Sequence, residues 1–387
     1  MNLLFINYNH TSKRRGGVEK VTSALYEKLS ERGHSVYMLS VQPPIDDDKL
    51  ERHQFVLPAN GDNITFLKEC LRSKKIEIIV NQSERPNIAE LIHQAHGKIP
   101  VISCMHTNPY AEIKGCQDTY DRWKIKYGIL FTLLRPLFDY RFYSIKKQAK
   151  ERLCKIFKRQ YEQSNAIVLL SKEYISTYAE LISTNSDKKI FAIPNPYPYE
   201  SETTQTEKEK TIIFVGRLEY QKRADRLLRI WKIIFKQNPD WKLQIIGDGV
   251  NRPFLEELTN KFGLRNVEFL GNREPEEFYR KASIICVTSS HEGLPMVLLE
   301  ATQKNVIPVV FNSFESASDI IKDKCSGFLI KPFSIRDFSN TLNRLLQDDE
   351  YRETIRRNII QEKGQSIFQP NAVVDNWERL FLKLHQQ

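Results

Sequence analysis

Long apolar runs are missing from this sequence. None of its 387 residues belongs to a stretch near the ~20 apolar residues that a bilayer-crossing helix needs. The longest candidate, 128–138, is short and broken by Arg135, and mean hydropathy is −0.47. Cysteine is sparse too. Six residues (Cys70, Cys104, Cys116, Cys154, Cys286, Cys325) form no C-x-x-C pair, and Cys104 and Cys286 lie in apolar runs. That argues against a disulfide frame or a zinc site and for reduced thiols in a cytosol. The opening Met1-Asn-Leu-Leu-Phe-Ile has no basic leader and no small-residue cleavage site, so it reads as a first strand and not a signal peptide. A P-loop of the form G-x-x-x-x-G-K-[ST] is absent, as is a full G-x-G-x-x-G fingerprint, which disfavours an ATPase or a nicotinamide enzyme.

What is present is charge, unevenly placed. The formal net charge is +10. Residues 121–160 hold twelve Lys/Arg against three acids, leaving +9 in one segment. Trp123, Tyr127, Phe131, Phe138, Tyr140, Phe142, Tyr143 and Phe157 are interleaved with them. Two readings stand open: two amphipathic helices packed on a domain with a solvated basic face, or contact with an anionic membrane surface. Nucleic acid is not expected, because no helix-turn-helix, zinc-finger or RNA-binding signature accompanies the charge.

The length suggests two domains. Short apolar runs at 3–6, 36–39, 76–80, 101–104, 166–170 and 190–193 read as strands, with helices at 17–32 and 87–96. Prolines 194, 196 and 198 and a polar stretch then mark a linker over 196–210. The alternation restarts with strands at 212–215, 242–246, 267–270, 284–287, 307–310 and 328–330. Helices are expected at 224–235, 252–262, 275–281, 295–303, 335–347 and 371–384. Continuous apolar strands alternating with helices imply an α/β protein of two Rossmann-like, doubly wound parallel-sheet domains facing a cleft. The expected domains are 1–195, with the C-terminal helix of 370–387 returning to it, and 211–369.

Ligands of such sheets bind beyond the carboxyl ends of the strands, and chemically useful residues cluster there. Gly216-Arg217-Leu-Glu-Tyr-Gln-Lys222 follows one strand, and Arg217 and Lys222 can both reach a pyrophosphate. Gly247-Asp248-Gly249 follows the next strand, either as a turn bordering a nucleotide or as a plain connection. Gly271-Asn272-Arg273 follows a third, in position to read a base edge. Glu292-Gly293-Leu294-Pro295 precedes a helix carrying Glu300; its mouth is a natural phosphate site, with Pro295 expected at the first helical position. Arg14-Arg15-Gly16-Gly17-Val18-Glu19 is a glycine-rich loop opening the first helix. His106 ends a strand, and an imidazole there can donate to a substrate hydroxyl. Asp46-Asp47-Asp48 reads as a solvated loop, not a metal site.

Taken together, Phe214-Val-Gly-Arg217-Leu…Lys222, Gln244-Ile-Ile-Gly-Asp-Gly249, Val267-Glu-Phe-Leu-Gly271 and His291-Glu-Gly-Leu-Pro-Met-Val-Leu-Leu-Glu-Ala301 resemble the retaining glycosyltransferases of family 4. The likeness is strongest over 211–347; Gly16-Gly17-Val18-Glu19, His106, Leu170-Ser171-Lys-Glu-Tyr174 and Ile193-Pro-Asn-Pro196 extend it more loosely. It implies the GT-B fold and a nucleotide-sugar donor, UDP-linked by preference. The acceptor is expected to be a glycan or a lipid-linked sugar, in bacterial surface polysaccharide synthesis. By resemblance, Arg217 and Lys222 hold the diphosphate, Glu300 the ribose, and Glu292 with the Gly293 and Leu294 amides the donor sugar. His106 reaches the sugar from the first domain, Gly17 lines the phosphate side, and Gly216, Gly247, Asp248 and Arg273 border the nucleotide. Retention would follow front-face attack, with the leaving phosphate taking the acceptor proton, so Glu292 is not a nucleophile. No cofactor or metal is expected, and the expected location is the cytoplasm, peripheral at the inner membrane face. The chain departs from many members at Gln303-Lys304-Asn305, where small residues are common. Two alternatives remain: an epimerase acting on UDP-N-acetylglucosamine, and an idle sugar-nucleotide or polyanion binder.

Overall fold

A computed structural model describes residues 1–10, 16–43, 53–59, 61–184, 188–199 and 207–386. Arg14, Arg15, the Asp46–Asp48 run and most of the polar linker lie outside the described residues. The first stretch runs β1 (Asn2–Asn7), α1 (Gly17–Glu31), β2 (Ser35–Ser40), β3 (Gln54–Val56), α2 (Asn63–Ser73), β4 (Ile78–Asn81), α3 (Pro86–Ala95) and β5 (Val101–Met105). Two long helices follow, α4 (Ala111–Leu133) and α5 (Arg135–Gln163), then β6 (Ala166–Leu169), α6 (Glu173–Ile182) and β7 (Ile190–Ala192). The second stretch runs β8 (Glu209–Val215), α7 (Ala224–Ile234), β9 (Lys242–Ile246), α8 (Arg252–Lys261), β10 (Val267–Gly271), α9 (Glu276–Lys281), β11 (Ala282–Val287) and α10 (Met296–Gln303). It ends with β12 (Ile307–Phe311), α11 (Ala317–Ile320), β13 (Phe328–Ile330), α12 (Ile335–Gln347), α13 (Asp349–Gly364) and α14 (Pro370–His385).

The chain divides into two compact units: Met1–Pro109 with Lys146–Pro198 and Ile367–Gln387, and Tyr110–Ile145 with Tyr199–Ser366. The first contains a seven-stranded sheet in the order β3-β2-β1-β4-β5-β6-β7, the second a six-stranded sheet in the order β10-β9-β8-β11-β12-β13. Every pairing between named strands is parallel. The central strands β4, β5, β6, β11 and β12 are buried at every residue. Helices cover both faces of such sheets, which is why these strands read as unbroken apolar runs. The fold is GT-B.

In the first unit, α14 lies against α1 and β1. Trp377 sits 6.5 Å from Phe5, and Arg32 pairs with Asp375 at 2.6 Å and Glu378 at 2.8 Å. In the second unit, the basic segment's first helix, α4, breaks at Gly128 (φ 49°, ψ −119°). The unusual Gln303-Lys304 pair is a scaffold: Tyr199 N–H donates to Gln303 Oε1 at 3.0 Å, and Lys304 Nζ meets Glu276 at 2.9 Å while buried.

One local expectation is corrected. Pro295 caps α10 and is not its first residue: its ψ of 108° is extended, while its carbonyl already accepts the Leu298 N–H at 3.0 Å. A residue whose ψ is outside the helix but whose oxygen is inside it is a cap by construction. The strand β3 and the helices α2, α6 and α13 go beyond the sequence expectations.

Candidate active site

The order of the second sheet reverses at β8, which has β9 on one side and β11 on the other. Loops leaving two such neighbours diverge and open a crevice at their carboxyl ends. The loop after β8 carries Gly216, Arg217 and Lys222; the loop after β11 carries Glu292, Gly293 and Leu294.

The two loops are tied together. Ser290 N–H donates to the Gln221 carbonyl at 2.8 Å, and Gln221 Nε2 donates to the His291 carbonyl at 2.8 Å. Thr288 Oγ1 reaches the carbonyls of Lys222 (3.2 Å) and Arg223 (3.0 Å). On this frame Lys222 Nζ meets Glu292 Oε1 at 2.7 Å, with the carboxylate buried. The loop after β12 braces the far side: Ser313 Oγ donates to the Ser289 carbonyl at 2.7 Å, and Ser316 Oγ to that of Gly293.

A second brace comes from α4. Asp118 is buried, and its Oδ2 accepts from Ser290 Oγ at 2.7 Å and lies 3.7 Å from His291 Nδ1. Burial pushes its carboxyl above the usual range, opposed by the Ser290 hydroxyl, His291, Arg223 and Arg226. Burial also holds the His291 imidazole below its ordinary value. Nearby, Asp121 lies 3.9 Å from Arg223, and Lys114 pairs with Glu315 at 2.9 Å.

Glu300 is buried on α10, and its Oε2 accepts from the Tyr279 hydroxyl at 2.7 Å. Burial and the adjacent carboxylate drive the phenol far above its usual range, so it stays a donor. Arg217 is 72% exposed at its side chain and pairs with Glu219 at 2.9 Å. Asp248 caps its own turn through Gly249 N–H at 2.7 Å and meets Arg252 at 3.1 Å. Arg273 Nε donates to the Leu270 carbonyl at 3.1 Å. Gly216 and Gly247 are pressed together: a Cβ on Gly247 would stand 2.0 Å from the Gly216 carbonyl oxygen.

Two predicted residues belong to the first unit. His106 follows β5; its Nε2 faces Gln82 Oε1 at 2.6 Å, and its Nδ1 and Gln82 Nε2 are buried without a hydrogen-bond partner among the described residues. Burial lowers its pKa to about 4, so the ring is neutral at pH 7. Glu84 holds the following turn, accepting from the Thr107 amide at 2.7 Å and the Thr107 hydroxyl at 2.8 Å. Gly17 opens α1 behind Gly16 (φ 65°), over which the Glu19 carboxylate folds and accepts from Asn9 Nδ2 at 2.7 Å. Sequence reasoning missed Gln82, Asp118, Gln221, Ser290 and Tyr279, since each acts on a residue distant along the chain. Among the described residues no group of three or more His, Cys, Asp or Glu is placed to hold a metal ion, and no helix is long and apolar enough to cross a membrane.

Residues 15–201 match the model of Glycosyltransferase Family 4, and residues 199–362 that of Glycosyl transferases group 1. The amylovoran biosynthesis glycosyltransferase AmsD of Erwinia amylovora is 34% identical over 172 residues, 44% of this chain and 47% of that protein. A Campylobacter jejuni α-1,4-N-acetyl-D-galactosaminyltransferase, named for a diNAcBac-PP-undecaprenol-linked GalNAc acceptor, is 29% identical over 180 residues, 46% and 49% of the two chains. The chain spans about half the length of these curated relatives. Among solved structures, Staphylococcus aureus TarM with UDP aligns at a TM-score of 0.72 and 13% identity, covering 98% of this chain and 99% of that one. The pneumococcal O-GlcNAc transferase GtfA, with UDP and GlcNAc, aligns at 0.74 and 12% identity, covering 100% and 99%. Matched in sequence through both halves and in fold from end to end, the chain belongs to the family 4-like glycosyltransferases of the GT-B fold.

Proposed function

We propose that the protein transfers a sugar from a UDP-sugar to a hydroxyl of a glycan or lipid-linked acceptor, with retention of configuration. The setting is surface polysaccharide assembly at the inner face of a bacterial membrane. The observation that carries this reading is the Lys222–Glu292 contact of 2.7 Å at the reversal point of the second sheet. A buried carboxylate that positions a lysine keeps the ammonium oriented in the absence of a donor. When a diphosphate arrives, that ammonium offers a point charge to the leaving group, and Arg217 adds a fork from solvent. Glu292 is then the acceptor for a donor-sugar hydroxyl, beside the amides of Gly293 and Leu294. Glu300, held by the Tyr279 hydroxyl, accepts from the ribose. In the first unit, Gln82 Nε2 and His106 Nδ1 are buried without a hydrogen-bond partner among the described residues, which leaves them able to hold a hydroxyl. Support for the setting comes from the names of the relatives: amylovoran biosynthesis for one, an undecaprenol-linked acceptor for the other. Support for UDP comes from its presence in the TarM and GtfA structures.

The test is UDP release from a panel of UDP-sugars, run in EDTA because the proposal assigns the diphosphate charge to side chains and not to a metal. Glu292→Gln and Lys222→Ala should each lower turnover by at least ~100-fold, the scale of losing a charge-stabilising group. Near-normal rates in both variants reject the assignment. Interconversion of the free UDP-sugar without an acceptor marks an epimerase instead.

A further inference from the structure

Fourteen large apolar side chains are exposed among the described residues, and eight of them fall between Tyr127 and Tyr143. They gather where α4 turns into α5. Ile129, Leu133 and Leu137 are 81, 72 and 66% exposed, and Tyr140 reaches 78%. Tyr127 packs on Phe138 at 5.3 Å, but Ile129, Leu133, Leu137 and Tyr140 stand outside the ring contacts that hold the two helices together. That work is done on the inner side by an aromatic cluster: Phe131 stacks on Phe138 at 4.9 Å, Tyr120 meets Phe142 at 4.8 Å, and Trp123 meets Phe138 at 5.8 Å. A hairpin tip with its own closed core has no folding reason to present leucines and isoleucine to water.

The charge around the tip chooses the partner. Lys124, Lys126, Arg135, Arg141, Lys146 and Lys147 lie within 124–147, and the one acid of that stretch is Asp139. Its carboxylate is engaged by the Tyr120 hydroxyl and by Arg135 at 3.6 Å. Lys126 and Arg141 rest beside Tyr127 and Trp123, at 5.4 and 5.5 Å from the ring centroids. Apolar residues at the tip, tyrosines at the margin and a stretch in which cations outnumber acids behind them are the layers of an anionic bilayer seen in reverse: acyl region, interface, phosphate plane. The break at Gly128 turns the last part of α4 away from the helix axis. Ile129, Leu133, Leu134 and Leu137 thereby come from both arms of one turn.

The geometry points to the α4–α5 turn as a membrane-docking element that inserts its apolar tip into a bilayer containing anionic phospholipid. This rests on the membrane-side acceptor of the reading above and names the surface that meets the lipid. It also moves the contact from the charge-rich run 146–158 to the turn itself, in the unit that holds Glu292 and Lys222.

The experiment is co-sedimentation with vesicles of phosphatidylglycerol and phosphatidylethanolamine, and separately with vesicles of phosphatidylcholine. The full chain should pellet with the first far more than with the second. The triple variant Ile129→Ser, Leu133→Ser, Leu137→Ser should lose at least ~10-fold in partitioning, since each exchange removes several buried methylenes from the lipid contact. Lys124→Glu, Lys126→Glu, Arg141→Glu should abolish the preference for phosphatidylglycerol. Circular dichroism checks that both variants fold. A triple apolar variant that pellets like the parent, or a parent that stays in the supernatant, overturns the proposal. So does a parent that elutes as a dimer dissolved by the apolar variant, which would make a second copy the occupant. UDP release measured without vesicles is read separately. Release without pelleting sinks the docking element alone, and pelleting without release sinks the transferase reading alone.

Discussion

Asp118 stands 172 residues before the serine it holds, and that separation is the reason to test it. Its carboxylate faces Ser290 and His291, the two residues preceding Glu292, and faces the buried Arg223 and Arg226 as well. Replacing it with alanine removes a buried hydrogen bond and leaves two buried guanidiniums with less opposite charge, a loss of about 2–3 kcal/mol in stability. As a positioning residue it should also lower turnover, and Asp118→Asn should recover most of the melting temperature and only part of the rate. Equal recovery of both would reduce its role to stability. His106 makes a pH prediction. Its folded pKa of about 4 lies below the unconstrained 6.5, so the unfolded chain binds its proton first as pH falls. The His106 contribution is complete above pH 6.5 and is lost as pH drops toward 4. The melting temperature of His106→Gln should therefore fall less steeply than that of the parent between pH 6.5 and 4; parallel profiles would refute the buried, neutral ring.

At the scale of elements, the loops after β8 and β9 fit each other only because glycine lines both. Leu218 N–H donates to the Asp248 carbonyl at 2.8 Å, and Gly216 N–H to that of Ile246 at 3.0 Å. Gly247 has a φ of 131°, and its missing side chain leaves room for the Gly216 carbonyl. Gly247→Ala should cost about 2–3 kcal/mol by denaturant unfolding, combining a strained backbone with a steric overlap. A change below about 0.5 kcal/mol would mean the two loops separate freely. The sequence reading offered a nucleotide contact or a plain connection at Gly247, and backbone-on-backbone contact was invisible to it because the partner glycine lies on another strand. What was legible followed one rule. β9, β13 and α12 were read with the bounds they have, since β9 carries Leu243, Ile245 and Ile246 between polar neighbours, β13 is a short apolar run and α12 has a clean apolar stripe. β3 escaped because three half-exposed edge residues carry no such run. The helix α13 escaped because few of its residues are buried, although Asp348, which caps it through the Tyr351 N–H at 2.8 Å, was a readable start signal. The two glutamates and Lys222 were legible as a motif; the tyrosine, serine and aspartate that orient them were not, because contact order along the chain does not appear in spacing.

For the molecule as a whole, the assignment of residues to units decides how a ligand should register. Arg217, Lys222, Glu292 and Glu300 all belong to the second unit, while His106, Gln82 and Gly17 belong to the first. The diphosphate and ribose contacts proposed for UDP therefore draw on the second unit alone. UDP alone, carrying no sugar, should slow amide exchange in the segments after β8 and β11 and along α10. It should leave the segments after β4 and β5 unchanged, because binding suppresses the openings of the cooperative unit that contains the site. At a hundredfold excess over its dissociation constant it should add about 2.7 kcal/mol to the stability of the unit it binds. Protection spread equally over residues 1–109 would place the nucleotide on the wrong sheet and remove the Lys222–Glu292 pair from the donor site. Protection confined to the second unit, lost in Lys222→Ala and kept in His106→Gln, would assign nucleotide holding to the second unit by a measurement that needs neither the acceptor nor turnover.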